Sequence, residues 1–216
     1  VKKNMLLGSF LALCTLTLFS QNGRGPRVVV TPEKSAVHVP PQKTAAHLKK
    51  IYSNLGTSKT NLYSNNSWGV SGPNSSLGRA YSVALPFTPK LNSTVEQVQV
   101  AVGYAGSGAN QVNLSIYSDA EGAPGTLLAG PVTVTNLPAL GTCCTLAVAN
   151  FTPVAVTSGT QYWVAANAPL TGTGSDFAGG WNWVVKQIPG AVDYGFGFFS
   201  MDADGVAAGE VLGTTP

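Results

Sequence analysis

The chain has 216 residues, of which 44% are hydrophobic and only 10% are charged, with 25 glycines. That is enough apolar material for one medium-sized core, with charge well under the ~25% of an average soluble domain. The net charge of +3 is uneven: nine basic residues stand against one acid up to Thr60, and three against eight acids beyond it, so the body is acidic and a basic nucleic-acid-binding surface is excluded.

Residues 1–20 have the layout of a secretory signal peptide. Lys2 and Lys3 precede an apolar run from Met5 to Phe19, and Ser20 and Gln21 follow. The run is shorter than the ~20 residues of a spanning helix. The expectation is an exported protein, secreted or held at the cell surface, that meets a membrane only through this signal. Residues 21–60 carry most of the positive charge, and Pro32, Pro40 and Pro41 interrupt any regular element. They read as an extended basic linker or arm. Within it, "AAHLKKIYSNLG" is expected to form one or two helical turns, too short to stand alone.

From residue 61 to 216 a two-residue period takes over. "TVEQVQVAVGY" sets Val98, Val100, Val102 and Tyr104 on one face and Gln97, Gln99 and Ala101 on the other. "QVNLSIYS" sets Val112, Leu114 and Ile116 against Asn113, Ser115 and Tyr117. "AGSGAN" between them is a hairpin-type connection. Further strands are expected at "AYSVALPF", "PVTVTNL", "CTLAVANF", "TQYWVAAN", "GWNWVVKQ" and "YGFGFFSM". Many short strands with polar turns and no long helix predict an all-β chain, a β-sandwich of jelly-roll type.

The series "AYSVALPFTP", "VEQVQVAVGYAGSGANQVNLSIYSDAEGAPGTLL", "NLPALGTCCTL", "GTQYWVAAN" and "VLG" resembles bacterial exported proteins with the choice-of-anchor R type domain. The match spans roughly residues 61–213, and "IYSDxxGxPGxxL" is its most specific part. The resemblance implies export and a β-sandwich more than any activity. It also departs from the family: after Gly205 no hydrophobic helix with a basic tail is seen, so no sorting anchor is expected there.

The candidate sites are sparse. His38 and His47 both lie in the arm and the body has none, which excludes a Ser–His pair or a His-rich zinc site within the body. Paired carboxylates could run glycoside hydrolysis, but nothing in the spacing of the acids shows that two of them converge. Asp119 and Glu121 in "YSDAEGAPG" read as turn formers ahead of Pro124 and Gly125. Asp202, Asp204 and Glu210 in "SMDADGVAAGE" offer hard oxygen ligands for calcium; a plain acidic loop is the rival reading, and no other cofactor is implied. Trp181 and Trp183 share one face, with Asn182 opposite, and Tyr194, Phe196 and Phe198 share another. Buried, these aromatics are core; exposed, Trp181, Trp183, Asn182 and Tyr194 form a glycan-binding platform on which rings stack against sugar faces.

Cys143 and Cys144 are adjacent, and Cys14 falls in the signal. Their Cα atoms stand about 3.8 Å apart, or about 2.9 Å across a cis bond, against the ~4.4 to 6.8 Å of ordinary disulfides. A strained vicinal disulfide at a break in the chain after "LPALGT" is expected; the rival has one thiol packed as a small hydrophobe and the other exposed. The functional expectation is a non-catalytic binding or adhesion protein whose partner is a glycan. The alternative is a structural subunit of a matrix, sheath or filament built from copies of itself, and a carboxylate glycosidase comes third.

Overall fold

The computed structural model describes residues 27–28, 48–55, 67–142, 145–170, 175–185, 198–199 and 205–215; for 27–28, 183–185, 198–199 and 205–206 it describes the backbone alone. The signal, nearly all of the arm and the cysteine pair lie outside these residues. The strands are β1 (Arg27–Val28), β2 (Lys49–Ser53), β3 (Ser67–Ser71), β4 (Ser82–Phe87), β5 (Ser93–Val100), β6 (Val102–Ser107) and β7 (Gln111–Ala120). They continue with β8 (Ala123–Thr135), β9 (Ala147–Val156), β10 (Tyr162–Asn167), β11 (Ala178–Val185), β12 (Phe198–Phe199), β13 (Gly205–Ala207) and β14 (Gly209–Thr214). No helix occurs among the described residues.

The strands form three sheets. The first runs β2-β14-β5-β9 and the second β12-β4-β10-β7-β8; the third runs β1-β3-β11-β13, with β6 also on β11. Pairing is antiparallel except between β12 and β4. The fold is all-β and sandwich-like, with sheets packed together over a shared core. Alternation supplies that core. Val95, Val98, Val100 and Val211 of the first sheet and Val83, Leu85, Phe87, Leu114, Ile116 and Val164 of the second belong to one buried cluster. Phe87 lies between Tyr52 and Tyr162, with ring centroids 6.1 and 5.7 Å away.

Three local expectations are corrected. "AGSGAN" is not a hairpin: it leads from β6 of the third sheet to β7 of the second, which pair with different strands. "KKIYS" is not helical but strand β2, paired along β14; Ile51 and Tyr52 pack on the core and Leu55 just beyond is buried. Docking on a sheet edge outweighs the weak helical preference of so short a segment. "TVEQVQVAVGY" is not one strand. It breaks at Ala101 and crosses from the first sheet to the third, and the chain breaks again at Ala208, between β13 and β14.

At that corner three strands close a ring of backbone hydrogen bonds. Asn182 N–H donates to Ala101 O (2.9 Å), Ala101 N–H to Ala208 O (3.0 Å) and Ala208 N–H to Asn182 O (2.8 Å). All three residues are buried, so each break in the ladders must find another partner for its backbone groups. Trp181 seals the corner: it is fully buried and its indole N–H donates to Ala208 O at 2.8 Å.

Candidate binding surface on the first sheet

The outward face of the first sheet follows from register. Gly213, Val95 and Val154 pair across three strands, as do Val211, Val98 and Ala149, and both valine rows turn toward the core. The residues between them therefore point out. Three outward rows result: Thr214–Thr94–Ala155, then Leu212–Gln97–Asn150, then Glu210–Gln99–Val148. The first two are separated by a bulge at Glu96, where the β5–β9 register shifts.

The middle rows are a braced polar chain. Gln99 Nε2 donates to Gln97 Oε1 at 2.7 Å, and Gln97 Nε2 donates to Asn150 Oδ1 at 2.8 Å. Gln97 is buried to 6% exposure among its neighbours. At the far side Lys50 Nζ sits 3.0 Å from Glu210 Oε2, while Glu96, half-buried at the bulge, has no ion pair among the described residues.

The threonine row opens into a groove of about 530 Å³ at the end of the sheet, lined by Asn92, Ser93, Thr94, Thr157, Thr214 and Thr215. No ionisable side chain lines it. Its wall is fixed by local bonds: Ser158 N–H donates to Asn92 Oδ1 (2.9 Å), Ser158 Oγ to Lys90 O (2.8 Å) and Gly159 N–H to Pro89 O (3.0 Å). Lys49 Nζ reaches Thr215 Oγ1 at the rim (3.2 Å). The hydroxyls of Thr94, Thr157 and Thr214 meet no protein partner among the described residues. A concave site with free hydroxyls and a lining free of ionisable side chains, with the Lys49 ammonium only at its rim, can exchange hydrogen bonds with an uncharged polar ligand.

The sequence-predicted residues fall elsewhere. Trp181 and Asn182 are fully buried at the strand corner, so neither forms part of an exposed platform; the tight packing of three strands there leaves no ring face open. The side chain of Trp183 and all of Tyr194 lie outside the described residues. So do Asp202 and Asp204, and with them most of the calcium loop. Glu210, the third acid of that set, is on strand β14 and faces Lys50. No group of three or more His, Cys, Asp or Glu able to hold a metal occurs among the described residues.

The segment before the cysteines breaks as expected. Leu140 N–H donates to Tyr104 O and Tyr104 N–H to Pro138 O, both at 2.8 Å. A Cβ at Gly103 would come within 2.7 Å of Leu140 Cα, so only glycine lets this loop lie on β6. Regular pairing resumes at Ala147.

"YSDAEGAPG" is a structural device. Glu121 and Gly122 have φ of 55° and 86°, the left-handed pair of a two-residue hairpin turn between β7 and β8. Asp119 accepts bonds from Gly122 N–H (3.0 Å), Gln161 Nε2 (2.7 Å) and Trp163 Nε1 (2.7 Å). Burial pushes its carboxyl up, and the bonds from Gly122, Trp163 and Gln161 outweigh this and hold it below the usual aspartate range.

The chain matches no protein-family model and no curated protein.

No motif in the sequence marks the groove residues or the amide row. Alternation does place Gln97 and Gln99 on the face opposite the valines, which is the one available signal. Thr94, Thr157 and Thr214 come from three distant segments and carry no motif.

Proposed function

We propose that this chain is an exported, non-catalytic binding module of jelly-roll type, acting in adhesion or capture outside the cell, and that its ligand is a neutral glycan. The observation that carries the reading is the groove at the end of the first sheet, lined by no ionisable side chain and with three hydroxyls free to bond a ligand. Neutral sugars present dense hydroxyls and no charge, the complement of such a lining. The signal-like residues 1–20 and the resemblance to choice-of-anchor R proteins support placement in the secreted or surface-held fraction. A glycan array probed with the secreted protein tests this. Binding to uncharged glycans, lost in Thr94→Val/Thr214→Val, is expected; a well-folded protein that captures no neutral glycan overturns it.

A second reading, a structural subunit of an extracellular matrix or sheath, is favoured by strand β8. Among the described strands it is a 13-residue edge without a single charged residue, and Leu127 and Leu128 on it are exposed. Natural edges are blunted by charge, proline or bulges; β8 lacks the charge, and Pro124, Pro131 and the register shifts against β7 are its interruptions. Sedimentation and electron microscopy separate the two readings: ordered assemblies support the second, and a stable monomer removes it.

A further inference from the structure

We infer that the ligand of this face is an extended, uncharged polysaccharide segment lying along β5, rather than a single sugar held in the end groove. The inference rests on the binding reading above and adds the rest of the outward face to it. The three outward rows share one face and follow one another along the same strand. At a rise of about 3.4 Å per residue, the stretch from Thr94 to Gln99 measures roughly 17 Å. Beyond the groove along β5, a linear chain meets a polar track, the amides of Gln99 and Asn150, which are tied together by the buried Gln97.

That track is built to meet a ligand. Gln97 is buried and spends its two amide ends on Gln99 and Asn150. The bonds run one way, so each neighbour keeps an outer group: the carbonyl oxygen of Gln99 and the amide NH₂ of Asn150. Neither outer group has a protein partner among the described residues. The strip therefore presents an acceptor at one end and a donor at the other, with side chains already held in place, which lowers the ordering cost of binding. Leu212 lies in the same row as Gln97, between Lys50 and the amides. It is only 6% exposed, so it backs the amide row rather than offering a surface of its own. Lys50 and Glu210 close the far end as a pair, and Glu96 at the bulge, with no ion pair among the described residues, adds a negative charge that repels an anionic polymer.

The test is titration calorimetry of the full chain with β-1,4-glucan, β-1,3-glucan, β-1,4-mannan and β-1,4-N-acetylglucosamine oligomers of one to six units. For the oligomer that binds, affinity is expected to rise roughly fivefold for each added sugar until the strip is filled. Asn150→Asp keeps the acceptor for Gln97 and removes the outer donor. It should weaken the long oligomers by roughly fivefold and leave the monosaccharide unchanged. Gln99→Ala, at the opposite end, gives the same selective loss, and the unfolding midpoint of both variants confirms that they fold. Affinity that does not grow with length, or losses equal at every length, overturns the extended-strip assignment while the binding reading stands. Failure of every oligomer to bind overturns the binding reading itself, and this inference with it.

Discussion

Trp181 and Trp163 are two buried indoles in different regions, and each must satisfy its N–H away from water. At the corner joining the first and third sheets, Trp181 donates to the carbonyl of Ala208 (2.8 Å). On the outer side of the second sheet, Trp163 packs with Ala84 and Ala165 and donates to the carboxylate of Asp119 (2.7 Å). A backbone carbonyl does not titrate; a carboxylate does. The corner is thus indifferent to acid, whereas the hairpin end ties its geometry to the ionisation of one side chain. The corner is also knit by three mutual backbone bonds, while the hairpin end relies on side chains that meet solvent.

The largest effect should come from Trp181→Ala, which empties the corner and costs about 3–5 kcal/mol. Trp181→Phe keeps most of the volume and costs about 1 kcal/mol, because Ala208 O still accepts from Ala101. Urea denaturation measures both, and near-equal losses would mean that the indole fills little of the corner.

Asp119→Asn comes next, at about 1 kcal/mol near neutral pH once solvent screening is allowed for. Its pH dependence sharpens the contrast. The folded carboxyl lies below its unfolded value, so its contribution is complete above the ordinary aspartate range and is lost as pH falls through the folded value. Thermal melts from neutral to strongly acid pH should show a steeper loss for the native chain than for Asp119→Asn, and parallel curves would erase the distinction between the two regions.

Lys50→Met leaves Glu210, only 8% exposed, without its cation. The expected cost is about 1 kcal/mol, because Lys50 itself is largely exposed. Raising the salt concentration should shrink the difference from the native chain. The smallest effect belongs to Leu127→Lys/Leu128→Lys on the exposed edge of β8, within about 0.5 kcal/mol. If self-assembly occurs, this pair should reduce it while leaving the melt unchanged.

Local alternation alone establishes the class of fold. Period-two alternation in "QVNLSIYS", "TQYWVAAN" and "SVALPF" is enough to place valine, leucine and phenylalanine inside, because strand geometry forces successive side chains to opposite faces. Local rules also reach the β7–β8 turn, where Glu121 and Gly122 meet. What they do not reach is any contact between distant segments. Whether Trp181 is core or platform depends on Ala101 and Ala208, which lie far from it in the chain. That the helix-like "KKIYS" is an edge strand depends on its pairing with β14. The candidate site is the extreme case. Thr94, Thr157 and Thr214 are ordinary strand and turn residues in sequence, and only the side-by-side register of β5, β9 and β14 brings their hydroxyls to one groove. Alternation tells a strand which of its faces is wet, but a site on that face needs neighbours, and neighbours across a sheet are chosen by tertiary pairing.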